Sequence, residues 1–242
     1  MKPKIVGHRG ARGEMPENSL EGCLYLQALG IHRVEIDTHM SQDGQLIIIH
    51  DATLNRTTNG TGFVYKRKTK ALKKLTLKHS IKDWTYPTHI PTLASLLDHW
   101  PKLKAMQLEL KKIPIQQLPD LVNRLFEINE EYKQAKKIIL TSQYPYILNY
   151  LNDHKAPFDK GLVSVPRETD HFKMAKTLGC RFLISHHSLC HQEYLNKAHK
   201  KGFSVSTWTV NDYKLYAQLK TRKHLSSIIT DYPSEMMGWE QL

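Results

Sequence analysis

The chain has 242 residues, 40% of them hydrophobic, and 35 Lys and Arg against 23 Asp and Glu give a formal net charge of +12. This length suits one large domain or two small ones, and no apolar run is long enough to span a membrane. Cys23, Cys180 and Cys190 are too sparse, and odd in number, for a disulfide framework, so a reduced, cytoplasmic setting is expected. In chain order, the first predicted element is a strand over Lys4–His8, which follows Met1 so directly that no signal peptide is expected. Pro16-Glu17-Asn18 then opens a helix over Ser19–Leu29. The second strand, Arg33–Thr38, alternates: Val34 and Ile36 face one way, Glu35 and Asp37 the other. Two carboxylates on one strand face repel each other, and burying them together calls for a cation or a shared proton. A hard divalent cation held by oxygen ligands is the simplest resolution.

Gln42-Asp43-Gly44-Gln45 is a turn signal leading into a hairpin arm over Leu46–His50. The stretch from Asp51 to Ile90 is too long for an ordinary loop and reads as a small insertion on the rim. Its basic run, Lys66-Arg67-Lys68-Thr69-Lys70 and on through Lys73, Lys74, Lys78 and Lys82, reads as a solvated helix face, with weak contact to a membrane surface as the alternative. No zinc-finger, RNA-recognition or helix-turn-helix pattern accompanies the charge, so no nucleic-acid partner is expected.

Beyond the insertion, Thr92 caps a helix over Leu93–His99 that ends before Pro101. Strands at Ala105–Leu110, Lys137–Thr141, Gly161–Val165, Phe182–Ser185, Phe203–Thr207 and Ser227–Thr230 then alternate with helices at Leu118–Glu131, Tyr146–Asp153, Thr169–Leu178, His191–Lys200 and Asn211–Leu219. Eight β/α units over residues 1–242 predict a single-domain TIM (β/α)8 barrel, with the insertion (about 51–90) between the second strand and the following helix. A doubly wound sheet is the runner-up, but no G-x-G-x-x-G helix start follows the first strand. In a barrel, the C-terminal strand ends carry the chemistry. His8 with Arg9, Glu35 with Asp37, His50, and Glu109 with Lys111 all fall there.

Gly7-His8-Arg9-Gly10, Pro16-Glu17-Asn18-Ser19, Glu35-Ile36-Asp37, Asp43-Gly44 and the run His50–Thr58 resemble the glycerophosphodiester phosphodiesterase family, in order and spacing. Ile90-Pro91-Thr92-Leu93, Leu108-Glu109-Leu110-Lys111, Trp208-Thr209-Val210-Asn211 and Ile229-Thr230-Asp231-Tyr232-Pro233 extend the resemblance across the chain. Thr38 and Ser41-Gln42 depart from the family's pattern at positions that touch no implied ligand. The resemblance implies Glu35, Asp37 and Glu109 as ligands of one divalent cation, Mg²⁺ or Ca²⁺. It also implies His8 and His50 as the acid/base pair, and Arg9 and Lys111 on the phosphate. The chemistry agrees, because negative charge grows on the non-bridging oxygens during attack and two protons must move near neutral pH. We lean to His50 protonating the leaving group and His8 acting as base. Attack by water or by a glycerol hydroxyl stays open.

The implied reaction converts a glycerophosphodiester, a small-molecule substrate, to glycerol 3-phosphate and an alcohol. The rivals are a lysophospholipase D-like enzyme acting on lipid substrates and a non-catalytic phosphodiester-binding protein. The head-group alcohol and the oligomeric state are left open. Several residues have competing readings. Glu35 and Asp37 could pair with Arg33, and Glu109 with Lys111. Glu17 and Asn18 read most simply as loop and cap residues, and Asp231 as an orienter of Arg9 or a turn cap. Trp208 reads equally as rim packing or a wall for the glycerol moiety. Ser185-His186-His187-Ser188-Leu189-Cys190-His191 is dense in zinc-type ligands but lacks a second ligand cluster, and Cys190 lacks a matched base.

Overall fold

Short runs of Ile, Val and Leu, buried on both faces, pair side by side into a closed parallel sheet. A computed structural model describes residues 2–79, 81–82, 84–166 and 170–240. The strands are β1 (Lys4–His8), β2 (Arg33–Met40), β3 (Leu46–Ile48), β4 (Ala105–Leu110), β5 (Ile138–Ser142), β6 (Asp159–Ser164), β7 (Phe182–His186), β8 (Ser204–Trp208) and β9 (Leu225–Thr230). Their order is β1-β9-β8-β7-β6-β5-β4-β2, and a β1–β2 pairing closes the ring into the expected TIM barrel. β3 stands outside the ring, antiparallel to β2.

Helices α1 (Leu20–Ala28), α3 (Leu93–Asp98), α4 (Leu118–Tyr132), α5 (Pro145–Asp153), α6 (His171–Thr177), α7 (Gln192–Lys200) and α8 (Tyr213–Leu219) follow the strands, with α2 (Thr69–Leu72) inside the insertion. Ser19 caps α1 by accepting from Gly22 N at 2.9 Å, and Thr92 forms a reciprocal capping box with Ser95 on α3. Thr169, the expected start of the sixth helix, lies outside the described residues; α6 is capped by Asp170. A final helix, α9 (Pro233–Trp239), was not expected from the pattern. It is seven residues long and includes Gly238, yet Met236 is buried and Pro233 supplies a pre-set first turn. Among the described residues, no helix is long and apolar enough to cross a membrane.

Two expectations need correction. β2 runs two residues past Thr38 because the hairpin partner extends it, pairing His39 with Ile47 and Met40 with Leu46. The basic run is not a helix face: among the described residues, one 3-10 turn (Val64–Lys66) and the four-residue α2 are its only helical turns. Its apolar residues lack helical spacing, and Val64, Leu72, Leu77 and Ile90 instead bury with Ile47, Ile49 and Leu54 in a small core of their own.

Inside the barrel, Val6, Val163, Ile184 and Ile229 form an apolar layer beneath the C-terminal mouth. Gly7 in β1 is a close-approach position: a Cβ there would meet Leu26 Cδ1 at 2.6 Å and crowd the Gly10 carbonyl still more closely. Gly7→Ala is therefore expected to destabilise the fold by roughly 1–3 kcal/mol or more, read as a lower urea midpoint at unchanged m-value.

Candidate active site

The parallel register sets the site. His8 pairs level with Glu35, and Asp37 level with Glu109, so the ends of three neighbouring strands bring their polar residues to one height. Strand alternation sends Glu35 and Asp37 to the same side, away from Val34 and Ile36. Lys111 follows Glu109 just beyond β4, and His50 arrives from the β3 arm. His8, Arg9, Glu35, His50, Glu109 and Lys111 line one cavity of about 270 Å³, whose floor is the apolar layer of Val163, Ile184 and Ile229. Trp208 lines its side, where its Nε1 donates to the Ile184 carbonyl at 2.9 Å and its ring edge meets His186.

Glu35 is 5% exposed and Asp37 1%. One ligand oxygen each from Glu35, Asp37 and Glu109 lie within 4.8 Å of one another, the sole such group among the described residues. Asp37 is well compensated. Lys111 Nζ lies at 3.0 Å, Arg9 Nε at 3.2 Å, and Asn18 Nδ2 donates at 2.9 Å. Burial pushes Asp37 upward, but the two cations outweigh it and hold the carboxyl well below the usual range. Glu35 has less support. It accepts from the Arg9 backbone N–H at 3.1 Å through Oε2, while its buried Oε1 has no hydrogen-bond partner. Burial, then the charges of Asp37 and Glu109, push its carboxyl far above the ordinary value. Glu109 is also raised, first by burial, with Lys111 at 2.9 Å opposing.

The three carboxylates outnumber their two permanent cations, Arg9 and Lys111; His8 Nε2 stands 3.7 Å from Glu35 Oε2, and Glu35 Oε1 is left without a donor. An all-oxygen, anionic donor set of this kind fits a hard divalent cation and not a soft one. The expected competitor Arg33 plays no part, since it lines a separate cavity with residues such as Lys4 and Asp159. The Glu109–Lys111 pair does form, but Lys111 is shared with Asp37, so it bridges two of the carboxylates.

Both histidines are held by aspartates. His8 Nδ1 lies 2.6 Å from Asp231 Oδ1, and Asp231 is itself steadied by Asn211 Nδ2 at 2.8 Å. His50 Nδ1 lies 2.7 Å from Asp51 Oδ1. Arg56 grips both oxygens of Asp51, at 2.8 and 2.9 Å, and both oxygens of Glu17, at 3.0 and 2.9 Å. Glu17 in turn reaches Arg9 at 3.2 Å. With Nδ1 engaged, each ring keeps Nε2 for the cavity. Burial lowers His50, and Arg9 and Lys111 lower it further against the pull of Asp37.

Three readings are corrected here. Asp231 orients His8, not Arg9, across a sequence separation of 223 residues. Ser19 caps α1, whereas Asn18 clamps Asp37 by donating to its side chain and accepting from its backbone N–H at 3.1 Å. Glu17 is an ion-pair hub between Arg9 and Arg56. Arg56, which lies inside the run from His50 to Thr58, joins this network through contacts that the sequence pattern does not mark. In the Ser185–His191 cluster three of the ligand-type groups are otherwise engaged or masked by burial. His186 Nδ1 bonds Ser188 Oγ, His191 caps α7, and burial pushes the Cys190 thiol up to about 11.

The sequence model of the glycerophosphoryl diester phosphodiesterase family matches residues 8–235. The chain belongs to this family. As a glycerophosphoryl diester phosphodiesterase family member it is a phosphoric diester hydrolase. It is 27% identical over 239 residues to a glycerophosphodiester phosphodiesterase of Caldanaerobacter subterraneus, covering 98% of each chain. It is 28% identical to human glycerophosphodiester phosphodiesterase 1, over 96% of this chain and 80% of the human one. An Oleispira antarctica phosphodiesterase solved in complex with the product sn-glycerol-3-phosphate superposes with a TM-score of 0.88 at 25% identity, covering 100% and 98% of the two chains. A glycerophosphodiester phosphodiesterase from Agrobacterium tumefaciens shares the fold with a TM-score of 0.81 at 21% identity, over 96% and 97%.

Proposed function

We propose that this chain hydrolyses glycerophosphodiesters to glycerol 3-phosphate and an alcohol, with Glu35, Asp37 and Glu109 holding one Mg²⁺ or Ca²⁺ and His8 and His50 moving the protons. The observation that carries this reading is the meeting of the three carboxylates and the two aspartate-held histidines around one cavity. The product complex of the Oleispira phosphodiesterase supports the substrate class. The family match over residues 8–235 supports reading the chain as one phosphodiesterase domain, and the three free, buried cysteines agree with a cytoplasmic setting.

When bound, the cation would stabilise the negative charge that develops on the phosphoryl oxygens. The chain's own residues supply the rest. Arg9 and Lys111 place two further positive charges at the cavity wall, where they bind the diester and favour its more highly charged transition state. His8, held through Nδ1 by Asp231, can take a proton at Nε2 from the attacking hydroxyl, whether of water or of glycerol. His50, held through Nδ1 by Asp51, can deliver a proton from Nε2 to the departing alcohol. Trp208 and the apolar floor form the side against which the glycerol carbons would rest.

The first test is turnover of glycerophosphocholine and glycerophosphoethanolamine. Activity should disappear with a chelator and return with Mg²⁺ or Ca²⁺; activity indifferent to both chelator and His8→Ala would overturn the proposal. A second expectation concerns Asp231, which is not among the residues lining the cavity but holds His8 through Nδ1 and so sets its tautomer. Asp231→Asn should lower kcat on the order of 10-fold to 100-fold with little change in KM. A loss confined to KM would count against this positioning role.

A further inference from the structure

Residues 52 to 82 contain nine Lys and Arg residues and not one Asp or Glu, against a net charge of +12 for the whole chain. Among the described residues, Arg56 alone of these nine has a carboxylate partner. Lys66, Arg67, Lys68, Lys70, Lys73 and Lys74 are exposed. The barrel's positive field therefore centres on the insertion. A solvated helix face does not account for it, because the described residues there form only a 3-10 turn and the four-residue α2.

Apolar groups stand out beside these charges. Phe63 is 44% exposed, its ring 5.4 Å from that of Tyr65, and Lys66 Nζ lies 5.8 and 5.9 Å from the two ring centres. Phe63 and Tyr65 border a cavity of about 360 Å³ that Lys112, Ile113 and Pro114 also line. Ile115, next along that loop, is 70% exposed. The cavity flanks the catalytic mouth, since Ala52 on its wall follows Asp51, and Lys112 follows Lys111.

Exposed phenyl and aliphatic side chains set among unpaired lysines suit a surface whose outer layer is anionic and whose interior is hydrocarbon. We propose that this rim docks on an anionic phospholipid membrane. The lysines lie over headgroup phosphates, Phe63 and Ile115 enter the interface, and the cavity bordered by Phe63, Tyr65 and Pro114 receives a hydrocarbon chain from the lipid. A nucleic acid would attract the same lysines through its phosphates. It would find no use for Ile115 or for an apolar slot, so the lipid surface is the better match. The proposal concerns where the enzyme works, and it stands apart from the roles proposed for His8 and His50.

The test is co-sedimentation of the full chain with phosphatidylcholine vesicles, with and without phosphatidylglycerol, alongside kcat on soluble glycerophosphocholine as a report of folding. Binding should require phosphatidylglycerol and weaken as salt is raised. Lys68→Gln, Lys70→Gln and Lys73→Gln combined should weaken it on the order of 100-fold. Phe63→Ser with Ile115→Ser should weaken it ~10-fold or more at unchanged kcat. Three results would overturn the proposal: no sedimentation with anionic vesicles at physiological salt, binding indifferent to the Phe63 and Ile115 changes, or capture by a DNA duplex but not by vesicles. Vesicle binding without glycerophosphocholine turnover would instead overturn the proposed function and leave the docking surface standing.

Discussion

His50→Ala is expected to lower kcat/KM on glycerophosphocholine by about 10²-fold to 10⁴-fold, the usual weight of one positioned acid or base. The loss should shrink sharply on a glycerophosphodiester carrying a 4-nitrophenyl group, because nitrophenolate departs without needing a proton. His8→Ala should cost as much on both substrates, since its proposed partner is the attacking hydroxyl, which is common to both. The two dyads are alike in geometry, with Nδ1–aspartate distances of 2.6 and 2.7 Å, so only a comparison of leaving groups can separate their roles. If the substrate dependence fell on His8 instead, the two assignments would exchange. Equal losses in both variants on both substrates would remove the acid/base division altogether.

Glu35→Gln is expected to abolish cation-dependent activity and yet stabilise the metal-free protein. Burial, with Asp37 and Glu109 beside it, pushes the Glu35 carboxyl well above its usual 4.5 when no cation offsets the charge. The folded state then holds a proton that the unfolded chain has already released. Stability must therefore fall as pH rises from about 4.5 towards the folded value, and the deficit persists above it. Asp37 acts in the opposite sense and at lower pH. Its lowered titration contributes stability above 3.8 that is lost only on acidification.

Glutamine removes the titrating charge at nearly constant shape, so the variant's thermal midpoint should decline less with pH. At neutral pH it should be more stable by about 1–3 kcal/mol, the order of an unpaired buried polar group. Mg²⁺ or Ca²⁺ should raise the midpoint of the wild-type protein, more strongly at higher pH because the ligands must be deprotonated, and should do little for the variant. A variant less stable than the metal-free wild type at neutral pH would mean that Glu35 is satisfied without a cation.

The parts of this site that were readable in the sequence are those governed by strand geometry. Glu35 with Asp37, and Glu109 with Lys111, are two residues apart on strands, and strand alternation alone puts each pair on one side. Runs of Ile, Val and Leu separated by helix patterns were enough for the barrel. Periodicity misled in the insertion, where lysines suggested a helix but the apolar residues follow the demands of a small irregular core.

The sequence by itself therefore determined the barrel, the carboxylate pairs and the residues that its mouth would gather. Tertiary structure decided which charges answer which. Barrel closure pairs β1 with β9 and carries Asp231 to His8, while Arg9 and Lys111, not Arg33, reach the buried Asp37. Backbone alternation is a local property, legible from a few residues. Charge compensation depends on distances and burial that exist only after the ring has closed, and the oxygen of Glu35 left without a donor is visible only there.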